Sequence, residues 1–259
     1  MEATCGDVTI AWREIGRGQP LVLVHGLADD HRAWRKTLPG LVLDHRVILY
    51  DLRGHGESGL GRPDGTLAQL SSDLIALLDA VALSSAVVAG FSLGGTIAMR
   101  AALDHPHRVA GLALISTSSR VSAAAQAWYQ ARTDLAETGG PDLRATLDGD
   151  TQDVYRIRPA ETSEGMMIRR QATADPKGYA NACRAMSRLH DEPLDPELHL
   201  ISAPTVVMTG QEDQHCPPRA AEIIARGIRG STLRILAATG HAAPVERPLD
   251  VVTAIRSLR

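Results

Sequence analysis

No stretch constrains the fold of this chain more than Gly90-Phe91-Ser92-Leu93-Gly94. In front of it, Ser85-Ala86-Val87-Val88-Ala89 is short and apolar, the pattern of a buried strand. Behind it, Gly95-Thr96-Ile97-Ala98-Met99-Arg100-Ala101-Ala102-Leu103 reads as a helix of mostly small residues. A serine between two glycines on so sharp a strand-to-helix turn must take a strained backbone conformation, which lifts its hydroxyl above the sheet. Bulky side chains at positions 90 and 94 would collide with neighbouring backbone, so glycine is required there. The following helix aims its positive end at the serine.

Elements on either side repeat this strand–helix alternation. Residues 8–15 suit an outer strand, and Pro20-Leu21-Val22-Leu23-Val24 is a near-continuous apolar run, as in parallel strands covered on both faces. A short helix is expected over 34–38, a strand over 46–50 and a helix over 67–83 with Leu70, Leu74, Leu77, Leu78 and Val81 on one side. Residues 109–115 form the next expected strand. Alternation then stops from about 118 to about 199, where the pattern gives helices over 122–137, 163–174 and 176–189, with Gly139-Gly140 as a stop. It resumes with strands at 205–209 and 232–236 and helices at 218–228 and 249–258. The chain therefore reads as α/β, a doubly wound and mostly parallel sheet with helices on both faces, formed by 1–117 and 200–259, with 118–199 inserted as a helical lid. In such sheets, sites form at the C-terminal ends of the strands.

Composition narrows the function. A net charge of −3 gives no electrostatic case for nucleic acid or an anionic membrane surface. No apolar run is long enough to span a bilayer, and the first residues lack the basic-then-apolar pattern of a signal peptide, so a cytoplasmic location is expected. Cys5, Cys183 and Cys216 are too few and too scattered for a disulfide framework or a zinc site. Neither a metal nor an organic cofactor is expected, and the partner is a small-molecule substrate; the oligomeric state stays open.

An unassisted serine hydroxyl is a weak nucleophile, and it needs an imidazole to take its proton and a carboxylate to orient that imidazole. Of the ten histidines, His241 lies in the loop after the last strand, where the base belongs when the chain order is Ser, acid, His. Asp213, in Gly210-Gln211-Glu212-Asp213, follows the 205–209 strand and is the expected acid; Glu212 is its rival on the same turn. The oxyanion formed on attack needs two aimed backbone N–H groups, expected from Leu93 after the serine and from Leu27 beyond His25-Gly26. His25 and the turn from Asp51 to Ser58, His55 included, read as structural.

Taken together, His25-Gly26, Asp51-x-Arg53-Gly54-His55-Gly56-x-Ser58, Gly90-x-Ser92-x-Gly94-Gly95, Gly210-x-x-Asp213 and Gly240-His241 resemble the serine-nucleophile branch of the α/β-hydrolase fold superfamily. Asp175-Pro176-x-Gly178-Tyr179-x-x-Ala182-Cys183 and Ile201-x-Ala203-Pro204-Thr205 are similar to 3-oxoadipate enol-lactonases and cofactor-free haloperoxidase-like esterases. The resemblance implies hydrolysis of a carboxylic ester or lactone through an acyl-enzyme on Ser92. Branches that place aspartate at the nucleophile, the haloalkane dehalogenases and epoxide hydrolases, are set apart by that serine. The same triad also serves C–C bond hydrolases and thioesterases or cyclases, and the fold hosts non-catalytic ligand receptors.

Lids of this fold roof the nucleophile, so Trp128, Tyr129, Tyr155, Met166, Met167 and Tyr179 are the candidate substrate contacts, of which two or three should touch the ligand. Each taken singly is also explained by helix packing. Phe91 is expected to pack behind the turn. Arg156 and Arg158 offer a fork for a carboxylate or belong to a solvated lid face. Cys216 reads as a packed thiol.

Overall fold

The computed structural model describes residues 1–258. Its eight strands are β1 (Glu2–Cys5), β2 (Val8–Ile15), β3 (Gln19–Val24), β4 (His45–Tyr50), β5 (Ala86–Phe91), β6 (Val109–Ile115), β7 (Thr205–Gly210) and β8 (Thr232–Leu236). They form one sheet in the order β1-β2-β4-β3-β5-β6-β7-β8. The β1/β2 and β2/β4 pairs are antiparallel; every later pair is parallel. Between the strands run α1 (Leu38–Leu41), α2 (Leu67–Ala80), α3 (Leu93–Asp104), α4 (Ala123–Thr138), α5 (Pro141–Val154), α6 (Thr162–Ala172), α7 (Pro176–Arg188), α8 (Pro218–Gly227), α9 (Ala243–Glu246) and α10 (Pro248–Arg256).

The apolar strand runs are buried on both faces, and the two-residue strand period sorts them. Val22, Val24, Ile48, Val88 and Leu112 face a core built with α2, α3 and α8. Their neighbours Leu21, Leu23, Val47, Val87 and Ala113 face a second core with Trp34, Leu41 and α10. Because β3 has β4 on one side and β5 on the other, the chain reverses direction across the sheet there, which opens a crevice at the strand ends. The turns after β3, β5, β7 and β8 all leave from that same edge.

Helices α4–α7 lie between β6 and β7 and cover this edge. Ser122 caps α4 by accepting from the Ala125 N–H at 3.2 Å. Asp175 caps α7 through the Lys177 N–H at 2.9 Å. Leu143, Leu147, Tyr179, Ala180 and Cys183 make a small core of their own that touches Ala28, in the turn after β3. The layer docks on the turn at 51–58: the Gly56 N–H donates to the Ala172 carbonyl at 3.0 Å. Gly178 lies so close to Gly54 that a Cβ on it would fall 1.9 Å from the Gly54 oxygen. The turn itself is held by Arg53, whose Nε and Nη2 grip Asp73 at 2.6 and 2.7 Å.

Local structure departs from the sequence reading most clearly in four places. β1 is an edge strand with little apolar signal, joined to β2 through Gly6 at φ 63°. The helix expected over 34–38 is instead a single 3-10 turn, His31–Trp34, capped by Asp30, followed by a separate α1. The helix expected over 67–83 stops at Ala80, because Ala82 takes φ 55°. α5 was not expected; Pro141 at its first position restarts the helix directly after the glycine stop. No helix among the described residues is long and apolar enough to cross a membrane.

Candidate active site

Ser92 stands between β5 and α3 with φ 53° and ψ −120°, a conformation that costs about 1–3 kcal/mol and persists only where its surroundings impose it. Three glycines make the turn possible. A Cβ at Gly90 would lie 2.3 Å from the Gly94 oxygen, one at Gly94 2.2 Å from the Val24 oxygen, and one at Gly95 2.6 Å from the Thr117 side chain. Two bonds from outside the turn hold the strained residue: its N–H donates to the Ile115 carbonyl at 2.9 Å, and Thr117 Oγ1 donates to its carbonyl at 2.6 Å, beside the Gly95 N–H at 2.9 Å.

His241, in the loop after β8, places Nε2 3.1 Å from Ser92 Oγ. Its Nδ1 lies 3.0 and 2.9 Å from the two carboxylate oxygens of Asp213, in the loop after β7. Asp213 is buried, and its Oδ1 also accepts from the His215 and Cys216 N–H groups, each at 2.9 Å. Burial pushes the Asp213 pKa up, but the attraction and hydrogen bond of His241 and the Cys216 N–H outweigh it and hold the group below its ordinary value. Glu212, the rival acid, is exposed; its carbonyl accepts from Arg156, and its carboxylate makes no bond to His241 among the described residues.

The loop carrying His241 is clamped by Glu246, whose carboxylate accepts from the Gly240 N–H at 2.7 Å and the Ala242 N–H at 3.2 Å. Burial pushes this carboxyl's pKa up. On the other side of Ser92, a Cβ on Gly26 would lie 3.2 Å from the serine Cβ, so the turn carrying Leu27 passes against that serine.

A cavity of about 310 Å³ opens over Ser92 and His241. Trp128 and Tyr129 of α4 and Tyr179 of α7 give it apolar walls, and Leu27 lies at its base. Polar groups reach it as well. Arg169 of α6, buried, donates from Nη1 to the Leu27 carbonyl at 3.0 Å and to Asp29 at 3.3 Å, and from Nε to Thr151 at 2.9 Å. Asp150 lines the cavity while pairing with Arg132 at 2.7 Å. His215 is exposed along the cavity edge; the protein packed around its ring, with His241 4.8 Å away ring to ring, pushes its pKa down to about 4.

Residues 19–248 match the family defined by the α/β-hydrolase fold. The chain belongs to that family. It is similar to 3-oxoadipate enol-lactonase 2 of Acinetobacter baylyi, with 28% identity over 95% of this chain and 91% of the relative. A relative from Variovorax paradoxus with the provisional name carbamate hydrolase RutD is 31% identical over 87% of this chain and 85% of its own length. Among solved structures, a thermophilic esterase from Thermogutta terrifontis superposes with a TM-score of 0.87 at 30% identity, covering 98% of this chain and 94% of that one. The chain is a hydrolase.

Within this α/β-hydrolase, the expected contacts divide. Trp128, Tyr129 and Tyr179 line the cavity. Tyr155 does not: it packs under α6 against Gly165 and beside Val154, Ala242 and Val245. Met166 and Met167 lie on the outer side of α6 with Ser163, Arg170 and Gln171. The reason is the helical stripe, since Gly165, Ile168, Arg169 and Ala172 form the buried face and the two methionines fall opposite. Phe91, expected behind the turn, reaches the cavity wall, with its ring 5.2 Å from that of His241. Arg158 is not a cavity residue, and Arg156 reaches only a small outer crevice beside His241.

His25 is structural: its Nε2 accepts from the Leu52 N–H at 2.9 Å. Cys216 is buried beside Asp213, and burial pushes its thiol pKa up, away from thiolate chemistry. Asp30, His31 and Asp51 are the described cluster of metal-capable side chains, but Asp51 accepts from the His31 backbone and ring and Asp30 pairs with Arg32. Sequence reasoning missed Asp29, Asp150, Arg169, His215 and Glu246. Of these, only Glu246 had a usable signal, a carboxylate five residues after the expected base.

Proposed function

We propose that this hydrolase cleaves a small carboxylic ester or lactone through an acyl-enzyme on Ser92. The observation that carries the reading is the hydrogen-bonded line from Ser92 Oγ through His241 to Asp213, open to a walled cavity at the nucleophile. Ser92 Oγ attacks the carbonyl carbon while its proton passes to His241 Nε2. The C–O bond to the leaving group then breaks, and His241 returns the proton to the leaving oxygen. Water, deprotonated by the same nitrogen, adds to the acyl carbon and releases the acid and free Ser92.

Asp213 fixes the His241 ring with Nε2 toward the serine and stabilises the imidazolium. The Leu27 and Leu93 N–H groups take the oxyanion, each worth about 2.7–4 kcal/mol of barrier. Relatives named as an enol-lactonase and an esterase support C–O cleavage as the chemistry. Turnover of p-nitrophenyl acetate tests the reading. Ser92→Ala is expected to lower kcat by at least about 10³-fold; unchanged turnover overturns it.

A further inference from the structure

A second hollow of about 430 Å³ also reaches Ser92. The two share Ser92, Ala125, Tyr129, Gln214, His215 and Cys216, so they meet over Ser92, and beyond it they are lined by different residues. A carbonyl held over Ser92 therefore has room for one arm in each.

Their charges differ. The first contains the carboxylates of Asp29 and Asp150 alongside Arg169. The second has Arg120 and Arg219, both exposed, at its edge and no carboxylate among its lining residues. Arg120 is shared with Asp195 at 3.2 Å. Arg219, in the first turn of α8, has no hydrogen-bond or ion-pair partner among the described residues. Hydroxyl-bearing residues at 118, 119 and 122 complete a polar, cationic wall next to apolar Val121, Met186 and Ile223. An aliphatic arm with an anionic end fits that sequence of surfaces, exchanging water on the exposed Arg219 guanidinium for a charge-assisted pair that an uncharged arm does not make.

We propose that the second hollow seats a substrate arm ending in a carboxylate, with Arg219 as its ion-pair partner and Arg120 beside it. This rests on the ester or lactone reading above and narrows it to acidic substrates.

Two ester series test it, because the acid can sit on either arm. In one, p-nitrophenyl esters carry an acyl chain ending in a carboxylate or in its methyl ester. In the other, butanoate esters are formed with p-hydroxybenzoate or with its methyl ester. Wild type is expected to favour the acidic member of one series in kcat/KM. Arg219→Gln is expected to remove that preference by about tenfold, mainly through KM, while the neutral member is unaffected. Arg219→Lys should keep most of it.

Equal rates on acidic and neutral members in both series overturn the proposal, as does an equal loss on both members in Arg219→Gln. Turnover of the neutral esters by wild type, absent in Ser92→Ala, tests the serine mechanism separately. A missing preference on that background therefore removes the anion site alone.

Discussion

At Ser92 the fold stores strain and spends contacts to keep it. Thr117 is the side chain that stabilises the strained peptide from outside the turn, through its bond to the Ser92 carbonyl. Thr117→Val keeps the shape and removes the bond. It is expected to cost about 1 kcal/mol of stability, read by thermal melting, with a parallel fall in kcat as the serine loses its fixed angle. Asp213 carries a pH signature. Its native pKa lies below the ordinary 3.8, so the unfolded chain binds more protons than the native one between the two values. The stabilisation is present above the ordinary value and is lost as pH falls through that window. Asp213→Asn should therefore destabilise the protein at neutral pH, with the Tm gap to wild type closing in acid; it should also lower kcat by about 10⁴-fold by releasing the His241 tautomer.

That Ser92, Asp213 and His241 meet is legible in the sequence because each sits in a local pattern that a strand end imposes: a glycine-flanked turn, Gly210-x-x-Asp213, Gly240-His241. Asp29 and Asp150 have no such local mark. A carboxylate on a turn or a helix reads the same whether it ends in solvent or in a cavity.

The same limit appears among the elements. α6 hides Arg169 inside its buried stripe and shows its two methionines outward, the reverse of what hydrophobicity predicts. α5 was unreadable because Leu143, Leu147 and Val154 are its main apolar anchors and Gly149 interrupts it. Arg169 links three elements, joining Thr151 of α5 to the Leu27 carbonyl and Asp29 beyond β3. Arg169→Met leaves Asp29 buried without its cation and is expected to cost about 3–5 kcal/mol, measured by chemical denaturation. Adding Asp29→Asn should recover most of that stability. Activity should stay low in the double variant, because the Leu27 turn has still lost its donor; full recovery of kcat would show that this tie has no part in catalysis.

Over the whole molecule, the sheet order decides what meets. Turns after β3, β5, β7 and β8 converge because their strands are parallel, and α4–α7 close over them through the seat at Gly54 and Gly178. Gly178→Ala forces these backbones apart. The expected result is a lower Tm together with faster proteolytic cleavage within 118–199 than elsewhere, read by mass mapping of the fragments. The central claim is that these three converging groups let an ester transfer its acyl group to Ser92. Rapid quenching of the enzyme with p-nitrophenyl butyrate, followed by intact-mass and peptide mapping, tests this most directly. The account predicts one butyryl group per chain on the peptide containing Ser92, its formation slowed at least about 10³-fold in His241→Ala. Turnover with no adduct on that peptide, or an adduct formed as fast without His241, would contradict it.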